Sequence, residues 1–334
     1  MSATPVLEIN DLDVRFRTEA GIVHAVRGVD LTVPEGSVLG VVGESGCGKT
    51  VTMLAALGLL PRNAIVSGSV KFRGRELLSL PARELRKLRG SQLAMIFQDP
   101  VTSLNPVFTV GHQVAEAIRV HHRKLSHQET NKRAVELLAR VGIPEPDRRA
   151  NDYPHQFSGG MCQRAMIAMA MANDPDVLIA DEPTTALDVT IQAQILDLLR
   201  DLRRDKGVAV VLITHDLGVV AGLAEEMAVF YAGRVVERGA VDDVYSNRRH
   251  PYTRGLLASV PRLSAAGKAV LTPIVGAPPS MVAVPSGCAF HPRCPRAEDI
   301  CPRVDPPLRQ VGPVRSACHF AEDLDRAPAS TGPR

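Results

Sequence analysis

No stretch of this 334-residue chain approaches the roughly 18 consecutive apolar residues that a membrane-spanning helix requires. The opening segment, MSATPVLEINDLDVRF, has no basic start followed by an apolar run, so no signal peptide is expected there. Both absences point to a cytosolic chain. An excess of one charge is missing too: 39 Lys and Arg stand against 36 Asp and Glu, a net charge of +3 with the signs well mixed. The clustered basic stripe that a nucleic-acid surface needs does not occur. Neither an internal repeat nor a heptad pattern is found, which argues against a solenoid or a long coiled coil. Cysteine is scarce outside one place, because four of the six lie between Cys288 and Cys318.

What is present describes a globular protein. Hydrophobic residues make up 45% and charged residues 22%, enough for a sizeable core in one large domain with appendages or in two domains. Apolar β-branched runs alternate with helical patterns, which predicts an α/β fold around a mostly parallel sheet. VLGVV (38–42), VLIAD (177–181) and VAVVLITHD (208–216) read as buried strands, and KTVTMLAALGLL after the first has helical spacing. LEINDLDVRF and VHAVRGVDLTV alternate like half-exposed antiparallel strands. From Val110 the character changes to helical patterns, HQVAEAIRVHH and HQETNKRAVELLARVGI, the second preceded by Ser126 as a cap. These predict a helical subdomain inserted over about residues 110–165 of an α/β domain spanning 1–247. Residues 248–334 read as a separate extension. Twelve of the 25 prolines lie from Pro273 onward, so long helices and central strands are not expected there. The last dozen residues read as disordered.

GESGCGKT (43–50) fits G-x-x-x-x-G-K-[ST] between a predicted strand and a predicted helix. Glycines let the backbone curl so that its N–H groups face phosphate oxygens, and the helix N-terminus adds favourable dipole charge. Lys49 would reach the β- and γ-phosphates and Thr50 would offer its hydroxyl to Mg²⁺. VLIADEP (177–183) supplies an acidic end: Asp181 to hold hydrated Mg²⁺, Glu182 to orient or deprotonate the attacking water. FSGGMCQR (157–164) opens a helical run and forms a second anion-binding nest. One nucleotide does not need two nests from one subunit, so the second is read as serving a nucleotide held by another subunit.

With these motifs, the glutamine loop at Gln98 in IFQDP, ALD at 186–188 and His215 in ITHD, the chain resembles the nucleotide-binding subunits of ATP-binding cassette (ABC) transporters over residues 6 to 245. The resemblance implies a head-to-tail dimer that sandwiches ATP. It implies that Gly43, Glu44, Ser45, Gly46, Cys47, Gly48, Lys49, Thr50 and Val51 contact the nucleotide, while Ser158, Gly159 and Gly160 contact the partner's γ-phosphate. Gln98 would join the Mg²⁺ shell with Thr50 and Asp181, His215 would contact the γ-phosphate, and Phe16 would stack on adenine, although a strand-core role also suits Phe16. Met161 departs from the general signature, which has Gln there, but the nest is backbone and serine. Cys47 and Cys162 read as small packing residues.

FQDPVTSLNPVFTV (97–110), RRHPYTRGLL (248–257) and the cysteine tail are similar to the oligopeptide and dipeptide importer branch, which also includes nickel and glutathione importers. The resemblance implies an ATPase on the cytoplasmic face of the inner membrane, working with a second and usually paralogous ATPase, two transmembrane permease subunits and an extracytoplasmic substrate-binding protein. Soluble ABC ATPases acting on DNA or ribosomes usually carry two cassettes or long insertions, and this chain has neither. An exporter is disfavoured by the importer-like stretches.

Cys288, Cys294, Cys301 and Cys318 are separated by five, six and sixteen residues. In a reducing cytosol such a set reads as metal ligands rather than disulfides. No Cys-x₂₋₄-Cys knuckle is present, so wide, uneven spacing suits an iron–sulfur cluster better than zinc, and both stay open. The peptide-importer resemblance implies a [4Fe–4S] cluster. His291 and His319 adjoin the cysteines as further ligands or as second-layer partners.

Overall fold

The computed structural model describes residues 4–185, 187–259 and 273–324. They divide into two compact units interleaved in sequence: one takes the described residues up to 8, 32–38 and 70–213, the other 9–31, 39–69 and the described residues from 214 onward. Ala186 of the ALD motif and the terminal segment from 325 lie outside the described residues. The two early alternating stretches are 14-residue strands, Pro5–Thr18 and Gly21–Pro34, with buried and exposed positions interleaved.

The first unit holds a parallel trio. Strand Val177–Asp181 pairs with Leu93–Ile96 on one side and Ala209–Thr214 on the other. Every residue of VLIAD and AVVLIT is buried, the pattern expected of parallel strands covered on both faces. The two helical patterns form helices Val110–His121 and His127–Arg140, which pack on each other and on helix Gly159–Ala170. Ser126 caps the second through a reciprocal capping box: its hydroxyl accepts from the Glu129 N–H while the Glu129 carboxylate accepts from its own. Thr109 and Ser158 cap the other two.

In the second unit, Val38–Val42 pairs parallel with Glu226–Tyr231, which pairs antiparallel with Arg234–Ala240. The proline-rich tail then adds two three-residue strands, Val314–Ser316 against Arg234–Ala240 and Arg309–Val311 outermost. They stand at a sheet edge, where proline-rich sequence is tolerated. The helix after the glycine loop runs only over Lys49–Ala56, shorter than its periodicity suggested, and ends before Gly58 in left-handed conformation.

The core of this unit joins the tail to the strands. Tyr231, Tyr252 and Phe290 pack with ring centroids 4.6, 5.2 and 5.4 Å apart. His250, in the importer-like stretch 248–257, is buried and caps helix Pro251–Ala258, its Nδ1 accepting from the Tyr252 N–H at 3.1 Å. Beside it Glu237 is fully buried and accepts from the backbone N–H groups of Arg249 and His250 at 2.5 and 3.1 Å. Burial raises the Glu237 carboxyl to about 7 and holds the His250 imidazole down to about 3.

A carboxyl that protonates more readily when folded contributes most below its unfolded value, and that contribution is lost as pH rises toward the folded one. Relative to Glu237→Gln, the wild-type protein is therefore expected to lose stability between pH ~4.5 and about 7, by on the order of 3 kcal/mol. Urea denaturation of both proteins across that range checks it, and parallel profiles would contradict it.

Candidate functional site

Strand Val38–Val42 runs into a loop that only glycine can begin and end. At Gly43 φ is +151°, and a Cβ would lie 2.3 Å from the Phe230 carbonyl oxygen. At Gly48 φ is +99°, and a Cβ would lie 2.4 Å from the Ala25 oxygen. Gly48 is the N-cap of helix Lys49–Ala56, which has no side-chain cap and no acidic residue in its first turn. Its positive end is thus presented to an anion by backbone alone. Lys49 is buried, and its Nζ donates to the Gly43 and Glu44 carbonyl oxygens at 2.8 and 2.9 Å. A cation is so held within the loop at the mouth of a helix, an arrangement suited to phosphate.

Glu44 in the loop is held by residues far along the chain. Its N–H donates to the Tyr252 hydroxyl at 2.9 Å, and its carboxylate receives both terminal nitrogens of Arg293 at 2.7 and 2.9 Å. Cys47 is buried beside Lys49, and burial raises its thiol, with Lys49 opposing. It packs, as expected of a small residue.

In the first unit, Asp181 ends the central strand and is buried. Glu182 follows with φ +47°, an uncommon conformation for a non-glycine residue and one that re-aims its side chain out of the strand. Its N–H donates to the Ile213 oxygen at 2.8 Å. Its Oε2 accepts from Gln98 Nε2 at 3.2 Å and from Thr185 Oγ1 at 2.8 Å. The structure thus brings together Gln98 and Glu182, and adds Thr185.

Ser158 and Gly159 are exposed at the start of helix Gly159–Ala170, with Ser158 Oγ accepting from the Met161 N–H at 3.3 Å. A Cβ on Gly160 would meet Ile191 at 2.9 Å. Cys162 is buried, its thiol facing the Pro154 oxygen at 3.6 Å, so it too packs. In the second unit His215 is exposed after Ala209–Thr214, just before Asp216, whose carboxylate caps helix Leu217–Leu223. Phe16 is half-buried on its strand.

The tail cysteines meet. All four are free thiols, and together they line one cavity of about 20 Å³. Burial pushes Cys294 up to about 11 and Cys318 to about 12, and the neighbouring cysteines raise both further. Burial also raises Cys288. Such thiols are protonated, and a cation among them would reverse that. The expected metal site is not formed, however. Among the described residues no group of three or more His, Cys, Asp or Glu side chains is arranged to hold a metal ion, and the cavity has room for about one water. The donor set fits a thiolate-bound metal group, and the thiols would have to spread around it. His291 Nδ1 donates to the Cys288 oxygen at 3.0 Å and His319 Nε2 to the Val304 oxygen at 2.9 Å, which gives them supporting rather than ligating positions.

Sequence reading missed Thr185, Tyr252 and Arg293. Thr185 could have been noticed as a hydroxyl three residues beyond Glu182. The other two touch the glycine loop across more than 200 residues, a contact without any local pattern.

Residues 26–185 match the family described as "ABC transporter", and residues 236–301 the one described as "Oligopeptide/dipeptide transporter, C-terminal region". The chain is similar to the dipeptide transport ATP-binding protein DppD of Bacillus subtilis, 51% identical over 90% of each chain. It is 52% identical to the oligopeptide transport ATP-binding protein OppD of Mycobacterium tuberculosis over 94% of its own length, and there it spans about half of the relative, 52%. Of solved structures, the ATP-binding cassette MJ0796 in a dimeric post-hydrolysis state with ADP and Pi has a TM-score of 0.64, with 30% identity over 70% of this chain and 98% of that one.

The loop geometry separates two glycines. Gly43→Ala must displace the Phe230 carbonyl and is expected to cost about 1–3 kcal/mol. Gly46→Ala, where nothing lies within 4 Å of the new Cβ, should cost only the left-handed strain of about 1–2 kcal/mol. Paired denaturation curves test the order, and a Gly46 variant less stable than the Gly43 variant would contradict it.

Proposed function

Since the chain belongs to the ATP-binding subunits of ABC transporters, in the oligopeptide/dipeptide branch, we propose that it hydrolyses ATP to drive uptake of di- and oligopeptides across the cytoplasmic membrane. Residues 1–247 form the ATPase domain in this reading, with a helical subdomain at about 110–165, and 248–334 form the branch-specific extension.

Gly43 through Val51 hold the phosphates, with Lys49 neutralising charge on the β- and γ-oxygens. Phe16 stacks on adenine. Thr50, Gln98 and Asp181 would hold Mg²⁺, which supplies charge neutralisation on the phosphate oxygens. Glu182 accepts a hydrogen bond from the attacking water, aims its lone pair in line with the γ-phosphorus and draws off its proton as the bond forms. His215 donates to the γ-phosphoryl oxygens as the leaving ADP departs. Ser158, Gly159 and Gly160 offer an N-terminal helix nest to a nucleotide on a second ATP-binding subunit, a paralogue, so that ATP closes the dimer and hydrolysis reopens it. Two permease subunits and a substrate-binding protein complete the importer, with this chain on the inner membrane's cytoplasmic face.

One observation carries the reading: Glu182, in left-handed conformation, is held by both Gln98 and Thr185. A strand-end carboxylate with only a structural role would not need that aim. Glu182→Gln is therefore expected to lower turnover by at least about 10²–10⁴-fold while ATP still binds and the dimer persists. Phosphate release and size-exclusion chromatography with ATP measure this. Near-normal hydrolysis would remove Glu182 from the mechanism.

The four tail thiols are read as ligands of a [4Fe–4S] cluster rather than of zinc. Four free cysteines around one cavity support it, as does their wide, uneven spacing in sequence. Protein purified without oxygen is expected to be brown, with about four iron and four sulfide per chain. Colourless protein with one zinc per chain would contradict the cluster.

A further inference from the structure

The guanidinium of Arg293 belongs to the tail by sequence and to the glycine loop by contact. It ends the short turn His291–Arg293, directly before Cys294. Its side chain is only 6% exposed and makes a two-pronged bond to the Glu44 carboxylate at 2.7 and 2.9 Å. The Val275 oxygen accepts from its Nε at 3.2 Å, and the rings of Tyr231 and Phe290 lie 5.9 Å from its carbon. A guanidinium so enclosed has one orientation, which is what a fork-to-fork bond requires.

Glu44 is consequently fixed at three points: carboxylate by Arg293, N–H by Tyr252, carbonyl oxygen by Lys49. With its N–H committed to Tyr252, Glu44 acts as a post from which Ser45 to Gly48 curl. A loop with left-handed residues at Gly46 and Gly48 has many alternatives when free. Ordering it only when phosphate arrives would weaken binding by that ordering cost.

We propose that Arg293 is a positioning residue for ATP binding, holding the phosphate loop in its curled form through Glu44 and tying it to the four-cysteine tail. The inference rests on the ATPase reading above. It makes the tail part of the nucleotide site's support: whatever keeps Cys294 in place keeps Arg293 on Glu44.

The test is equilibrium binding of a fluorescent ATP analogue to the full-length chain, with steady-state hydrolysis and apo-protein melting alongside. Arg293→Ala is expected to raise Kd about tenfold, or about 1.4 kcal/mol. KM should rise more than kcat falls, and the melting temperature should change little. Arg293→Lys, which keeps the charge but not the fork, should recover only part of the affinity. Glu44→Gln leaves the tail sequence intact and serves if Arg293→Ala does not fold; it should weaken binding similarly. The double variant should lose no more than either single, because both break one bond. Affinity within twofold of wild type for both single variants, or additive losses in the double, would overturn the proposal. Wild-type protein that binds no ATP would overturn the ATPase reading itself.

Discussion

The phosphate loop depends on a steric constraint at its two ends. The backbone passes so close to the Phe230 and Ala25 carbonyls that a β-carbon at Gly43 or Gly48 has no room. Between those points Lys49 folds back on the loop's own carbonyls, and the helix behind it begins with backbone N–H groups and no side-chain cap. A loop so built keeps cationic and dipolar charge directed at one place before any ligand is present, which is preorganisation in its simplest form. The aromatic packing of Tyr231, Tyr252 and Phe290 supports it from behind, so core and loop are one construction within that unit.

The first unit solves a different problem with similar economy. Asp181 and Glu182 are adjacent, yet one must stay in the strand and the other leave it. The left-handed turn at Glu182 separates them, and Gln98 and Thr185 define where the second carboxylate points. Two neighbouring carboxylates thereby acquire two environments, which is what the proposed division of labour between metal and water requires.

Local chemistry was legible in the sequence wherever local residues make it. GESGCGKT announced a phosphate loop because glycine, lysine and threonine positions are fixed by backbone geometry within eight residues. Ser126 was readable as a cap because Glu129 lies one turn away. VLIAD was readable as buried because a strand covered on both faces is apolar throughout. Arg293 was not readable, because its partner lies 249 positions away and an arginine in a proline-rich tail has no distinguishing neighbourhood. HPYT was readable only as part of an importer-like stretch, since nothing in its four residues shows that His250 would be buried against Glu237 or that Tyr252 would reach the loop. The cysteine spacing foretold convergence on one cavity but not its small size, which only packing decides.

The central claim is that this chain converts ATP hydrolysis into peptide import. The most direct measurement is uptake of a radiolabelled tripeptide by intact cells whose chromosomal copy carries Lys49→Ala. The account predicts loss of tripeptide uptake, with uptake of an unrelated amino acid unchanged. Tripeptide uptake at the wild-type rate, with the variant protein present at normal abundance, would contradict it.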